Sequence, residues 1–317
     1  MATTEFMIGK RERITIVTET SYGSGGTMTS GYLPGYDVSI EPDFSQGWQE
    51  ILSAGTDTRN ITDQVTGPLS LSFTMNYLVG DFRILKYMLD YTNTGGPTTY
   101  THSMTLGNTV NSFKMEWARR HTTNQVYTIT GSVPTSLTFS FSKASGEGNE
   151  GFIKASAKCI AKNISIGSSV STVSAYSRTP FMFKGAYLLI NNVEVAELNN
   201  GEITIDNGID EADSRYCNVT NSNLIGDPIP KIFRISGRFN INMKDNSFDT
   251  LWNNATSVSN CSLAFIQTTN TNDITFTFTG FRVKSSIAPT NIEGVTNIDL
   301  VWDCNSVAVS ARDNLSW

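Results

Sequence analysis

Proton transfer and metal binding call on histidine, and the chain has two, His102 and His121, neither in an H-E-x-x-H pair nor in a close ligand cluster. Both read as ordinary strand or loop residues. Gly23 to Thr27 (GSGGT) is glycine-rich but lacks the Lys and Ser/Thr with which a phosphate loop holds a nucleotide, so it reads as a flexible turn. No G-x-S-x-G elbow raises a serine nucleophile. Asp206, Asp210, Glu211 and Asp213 form an acidic run whose spacing departs from that of a calcium loop and fits a solvated loop. Arg119, Arg120 and His121 stand beside Trp117, a basic and aromatic pairing that can meet nucleic acid but suits a hairpin tip or a salt bridge between subunits better. Cys159, Cys217, Cys261 and Cys304 are scattered without a C-x-x-C pair and read as buried thiols. No convergent acid, base, nucleophile or ligand set emerges, so the chain reads as a non-enzyme with no cofactor or metal.

The elements that carry these residues are strands. With 25 glycines, 16% charged residues and runs of Thr, Ser and Asn interleaved with Val, Ile and Phe, the chain is mainly β with many turns. Its 317 residues and 39% hydrophobic content suffice for a sizeable core and suggest about two domains. The net charge of -6 disfavours tight non-specific binding to nucleic acid. Met1 to Tyr22 is polar and lacks the apolar stretch of a signal peptide, and the longest apolar run, Ala186 to Ile190, is far too short to span a bilayer. The chain is therefore expected to fold in the cytosol without inserting into a membrane.

Self-comparison is the most informative step. Leu69 to Leu85 (LSLSFTMNYLVGDFRIL) matches Ile235 to Leu251 (ISGRFNINMKDNSFDTL) without a gap, placing Phe73 on Phe239, Met75 on Ile241, Phe82 on Phe248 and Leu85 on Leu251. In the first copy Leu69, Leu71, Phe73, Met75 and Tyr77 alternate with Ser70, Ser72, Thr74 and Asn76; in the second, Ile235, Phe239, Ile241 and Met243 do likewise. That period of two belongs to a strand with one buried and one wet face. A helix start follows each strand: Asp81 can cap a helix burying Phe82, Leu85 and Leu89, and Asn246 one burying Phe248, Leu251 and Trp252. Upstream, Gly35 to Pro42 resembles Gly201 to Asn207; downstream, Tyr127 to Gly131 (YTITG) resembles Phe276 to Gly280 (FTFTG). The boundary falls in the Ser- and Thr-rich stretch from Ile164 to Pro180. The expected organisation is an N-terminal arm and first domain at 1–165, a linker at 166–180 and a second domain at 181–317. Each domain is expected to be an antiparallel β-sandwich or barrel with one short flanking α-helix.

These residues resemble the tail tube proteins, or major tail proteins, of long-tailed phages and related archaeal viruses, in their two-domain form. Glu19 to Gly23 (ETSYG) has the family's Glu, Tyr-Gly pair and small-residue loop, and Pro180 to Val195 followed by Gly201 to Asn207 resembles the opening of a second tube domain. The resemblance implies a virion structural protein, assembled in the host cytoplasm, whose domains stand side by side so that their sheets close a β-barrel around a channel. Rings would stack into a conduit for genome DNA. If each repeat supplies one sixth of a ring, a trimer has pseudo-sixfold symmetry; single-domain relatives use a hexamer instead. The implied partners are sister subunits, the tape measure protein, tail terminator and tip proteins, and DNA in transient non-specific passage.

The polar loops Asp43 to Gly67 and Gly208 to Pro230 resemble the family's extended loop that contacts a neighbouring ring, and Lys10, Arg11 and Arg13 could pair with acidic residues there. The candidates for the channel lining or ring interface are Ser70, Ser72, Thr74, Asn76, Arg238, Asn240 and Asn242, on the wet faces of the repeated strands. Two alternatives stay open: a tail-tip, baseplate hub or needle subunit of the same fold, and a two-domain β-sandwich surface-binding module.

Overall fold

The computed structural model of the chain describes residues 12–51, 63–96, 98–120, 123–143, 151–174, 178–195, 198–210, 226–242, 251, 253, 257–258, 260–268, 271–285 and 297–317. The first half forms β1 (Glu12–Thr18), β2 (Tyr36–Ile51), β3 (Asp63–Leu78), β4 (Asp90–Gly96), β5 (Thr99–Thr105), β6 (Phe113–Arg119), β7 (Gln125–Ser142), β8 (Lys154–Ile160) and β9 (Asn163–Gly167). The second forms β10 (Ala186–Ile190), β11 (Val193–Glu194), β12 (Leu198–Asp206), β13 (Arg234–Asn242), β14 (Cys261–Thr268), β15 (Asn272–Thr279), β16 (Arg282–Ser285), β17 (Asn297–Cys304) and β18 (Ser306–Asp313). The protein is mainly β, and every strand pair is antiparallel.

Both sheets run through the two halves of the sequence. One has the order β16-β17-β13-β12-β7-β8-β3-β2, with β1, β6 and β9 attached through β7; the other has the order β11-β10-β14-β15-β18-β5-β4. Within each half the pairing order is the same. In the first half it is β2-β3-β8-β7 with β1-β6-β7-β9; in the second it is β12-β13-β17-β16 with β10-β14-β15-β18. The long strand β7 leaves one layer for the other at Gly131, whose φ of +67° favours a residue without Cβ. Pro134 is accommodated at a register shift next to Ser136.

Alternation of apolar and polar residues decides which side of each strand is buried. Leu71, Phe73, Met75 and Tyr77 on β3 point into the same core as Leu137, Phe139 and Phe141 on β7 and Ile203 and Ile205 on β12. That core is common to both halves: the Phe82 ring lies 5.3 Å from Phe139, and 6.4 and 6.1 Å from Phe265 and Phe276 of the second half. Trp302, fully buried, packs on Phe239, Phe278 and Phe281. It fits because residue 237 is glycine: a Cβ there would stand 2.4 Å from the indole and 2.2 Å from the Glu202 carbonyl oxygen.

Three expectations are corrected in detail. The helix after β3 is a five-residue 3-10 turn, Arg83–Tyr87, rather than an α-helix. It still buries Phe82, Leu85 and Leu89, and the Asp81 carboxylate accepts from the Arg83 N–H at 3.1 Å. Strand β4 begins at Asp90, which leaves one compact turn and no room for a longer helix. Of the second expected helix, the Asn246 cap, Phe248 and Trp252 lie outside the described residues, while Leu251 and Asn253 are helical. The stretch Asp43 to Gly67 is no loop where it is described: residues 43–51 and 63–67 continue β2 and β3 as a paired ribbon. Pro42 is tolerated because β2 is an edge strand. The upstream flank is displaced as well, because Pro42 faces Phe73 whereas Gly201 faces Phe239. With the repeated strands superposed, Gly201 therefore corresponds to Pro42 and not to Gly35.

Candidate functional site

Six adjacent strands, β3, β8, β7, β12, β13 and β17, turn their polar residues to the side away from the core. Successive registers line these residues into rows. Thr74, Lys158, Ser136, Asp206 and Arg234 form one; Asn76, Ser156, Thr138, Thr204, Ser236 and Asp303 form the next. The sequence candidates Ser72, Thr74 and Asn76 from β3 and Arg238, Asn240 and Asn242 from β13 all lie on this face, and Ser70 extends it onto the ribbon opposite Ser45. The middle of the face, on β7, β8 and β12, was not singled out from sequence. Its signal was present, since Ser136, Thr138 and Ser140 alternate with Leu137, Phe139 and Phe141 just as the β3 residues do.

The face is polar without being strongly charged. Glu41, Asp43, Glu202, Asp206, Asp299 and Asp303 are set against Lys154, Lys158, Arg234, Arg238, Arg282 and Lys284, six of each sign. Several are locally matched: Lys284 meets Asp303 at 2.6 Å, Arg238 stands 3.9 Å from Asp299, and the Asn240 amide donates to Asp299 at 2.8 Å. Such exposed pairs contribute at most about 1 kcal/mol each, so their effect is to cancel charge rather than to hold the fold. At the β3 end, the Asn76 amide donates to Glu41 at 2.9 Å.

The seam between the halves runs through the middle of this face. Seven residue pairs, from Asn200 opposite Ser142 to Asp206 opposite Ser136, join β12 to β7, and the Thr138 and Thr204 hydroxyls meet across it at 2.9 Å. The sheet then ends at β2 on one side and β16 on the other, neither with an outer strand neighbour among the described residues. In the superposition fixed by Phe73 and Phe239, the outer edge of β2 is the counterpart of the β12 edge that β7 occupies.

Buried polar groups fasten the loops behind this face. The Glu19 carboxylate, 8% exposed, accepts from the Gly23 N–H at 2.9 Å, the Ser112 hydroxyl at 2.6 Å and the Gly131 N–H at 3.0 Å. The Glu19 to Gly23 motif is thus a clamp that ties the turn after β1 to the bend of β7. Glu116 similarly accepts from the backbone and hydroxyl of Ser171, pinning the connector between the halves.

His102, fully buried on β5, meets the Tyr91 hydroxyl through Nδ1 and the Asp313 carboxylate through Nε2, each at 3.0 Å, and stacks on Trp317 at 3.9 Å. Burial alone would raise the Asp313 carboxyl, but hydrogen bonding from His102, the Arg178 charge and the Leu315 and Trp317 N–H groups hold it below its ordinary value. Both ring nitrogens of His102 are engaged, so the residue holds structure together instead of meeting a substrate. His121 lies outside the described residues. Cys159 and Cys261 are buried thiols, Cys304 is partly buried, and Cys217 falls outside the described residues. Of the acidic run, Asp206 accepts from the Gly208 N–H at 2.7 Å; Glu211 and Asp213 lie outside the described residues. Arg119 ends a hairpin strand and stacks 4.0 Å over Trp117, with Glu12 at 3.6 Å. Among the described residues, no helix is long and apolar enough to cross a membrane.

Sheets that share one core and offer a broad polar face, with open strand edges at both ends, define a class of β-structural protein whose working parts are surfaces. The family model for phage tail tube proteins matches residues 9–311, and the chain belongs to that family. No curated protein matches it. Membership makes the chain a structural component of the virion tail that self-assembles into a tube.

Proposed function

We propose that three chains join head to tail into a ring of six repeated β-modules and that rings stack into a tail tube through which genome DNA passes into the host. The observation that carries this reading is the β7–β12 seam, an antiparallel junction between the end strand of one repeat and the first strand of the next. Repeating it between chains would bring the outer edge of β2 against the far end of the neighbouring chain's sheet, beyond β16. Unpaired edges are a liability that ring closure removes. The matched pairing orders support a duplicated module, with a first tube domain at 1–165, a linker at 166–180 and a second at 181–317.

Eight strands from each of three chains give a barrel of 24, larger than the 16- to 18-stranded porins that already enclose an aqueous channel. In this arrangement the polar face lines the channel, with Ser70, Ser72, Thr74, Asn76, Arg238, Asn240 and Asn242 on it. Balanced charge suits a surface over which DNA slides, because every phosphate neutralised strengthens binding through counterion release. A tape measure protein within the channel, and terminator and tip proteins at the tube ends, complete the set of partners.

Electron microscopy of the purified protein tests the reading. Class averages are expected to display rings with a central channel, threefold in detail and close to sixfold in outline. A protein that stays monomeric at high concentration, or rings whose channel is lined by the other sheet, would overturn it.

A further inference from the structure

A cleft of about 630 Å³ opens beside the 3-10 turn, with Thr18, Lys86, Tyr87, Tyr91, Asn111 and Trp317 among its lining residues. Thr92 and Thr109, both exposed, stand at its rim, so small solutes reach it from solvent. Hydrogen bonds and stacking fix its walls. The Tyr87 hydroxyl meets that of Thr18 at 3.0 Å and accepts from Tyr32 at 3.4 Å, while Trp317 stacks on His102 and donates to Asp313 at 2.9 Å. The turn itself is held in place, because the Asn111 amide donates to the Lys86 carbonyl at 3.0 Å.

Lys86 brings to this cleft a reactivity that the fold does not use. Arg83, Arg178 and Arg312 each meet a carboxylate within 3.3 Å. The Lys86 ammonium forms no ion pair among the described residues and rests 5.4 Å from the Tyr32 ring and 5.3 Å from the Tyr87 ring. Residues three apart eclipse in a 3-10 turn, which sets Arg83 and Lys86 on one side, both over the Tyr32 ring. Burial first, and the Arg83 charge second, therefore hold the ammonium below its ordinary value; the Asp81 carboxylate, which opposes this, is already bound to Arg83. A lysine desolvated beside another cation is the better nucleophile at neutral pH, because more of it is unprotonated.

We propose that Lys86 is an acyl-acceptor site, modified by a small acyl phosphate that enters the cleft. The neutral Nζ attacks the carbonyl carbon and a C–N amide bond forms. The C–O bond to phosphate breaks, phosphate leaves with the electron pair, and the amine proton passes to water. No oxidant or further co-reactant is needed. The product is an uncharged amide against two aromatic rings, which removes the cost of keeping an ammonium out of water there. The site belongs to the single chain and requires neither ring nor tube.

Acetyl phosphate added to the purified full-length protein at neutral pH tests this, with occupancy at each lysine followed over time by peptide mass spectrometry. Lys86 is expected to be acetylated roughly ten-fold faster than the exposed Lys154 and Lys158, with a rate that rises with pH through a lower midpoint than theirs. Thr109→Trp fills the cleft from its rim and should slow Lys86 several-fold while leaving Lys154 and Lys158 unchanged. Lys86 modified no faster than those two, or only once urea unfolds the chain, would overturn the proposal. An unchanged Lys86 rate in a Thr109→Trp protein whose circular dichroism matches wild type would do so as well.

Discussion

The two halves of the chain share one pairing order but differ at one strand edge. In the second half the edge of β18 is covered by β5, and the β4–β5 hairpin belongs to the first half. The counterpart of β18 in the first half is β9, which pairs with β7 and has no outer strand neighbour among the described residues. The halves of one chain are thus joined in both layers, through β7 with β12 and through β5 with β18. A junction between chains that repeats the β7–β12 seam would use one layer only. Under the proposed duplication, the difference teaches that one joint is reinforced for folding while its copy is left for assembly.

The largest effect should come from Phe82, whose ring touches aromatics of both halves. Phe82→Ala is expected to cost about 3 to 5 kcal/mol in urea unfolding and to lower the stability of the whole chain in a single transition. Separate transitions for the two halves would break the picture of a common core. His102→Ala attacks the β5–β18 joint alone. It leaves Tyr91 and Asp313 each without one buried partner and should cost about 2 to 3 kcal/mol, with early amide exchange confined to β4, β5 and β18.

Lys86 sharpens the comparison through pH. Burial and the nearby Arg83 guanidinium lower its ammonium from 10.5 to about 8. Between those values the unfolded chain keeps a proton that the folded chain has released, so stability should rise with pH across that window. Allowing for solvent screening, the gain is about 1 to 2 kcal/mol, and it should vanish in Lys86→Met when the two proteins are melted side by side. The smallest effect belongs to the β7–β12 seam, where Thr204→Val removes one hydroxyl contact beside seven backbone-paired positions. A loss below about 1 kcal/mol is expected in urea titration. A larger loss than that of His102→Ala would reverse the ranking of the two joints.

Local pattern made the polar face legible. Alternation in β3 and β13 announced strands with one wet side, and the spacing of Phe82, Leu85 and Leu89 announced a buried turn, although not its 3-10 geometry. What sequence could not convey was contact between distant positions. His102 and Asp313 are 211 residues apart, and nothing near His102 signals that its hairpin completes a sheet built mainly from the other half. The ribbon was misread for a different reason: Pro42, Gly47, Gly67 and Pro68 are turn-forming residues, yet an edge pair outside the core tolerates them. The clamp formed by Glu19 was visible as a motif, whereas its hydrogen-bond partners Ser112 and Gly131 were not.

Strand β7 has a mechanical consequence. Its 18 residues, about 60 Å if fully extended, belong to the sheet with the polar face at one end and to the layer behind it at the other. A pull on the polar sheet is therefore passed to the layer behind it along covalent bonds, and shear between the layers is resisted by the polypeptide itself as well as by packing. Gly131 is the elbow at which that load changes direction, and the Glu19 carboxylate braces it from the side.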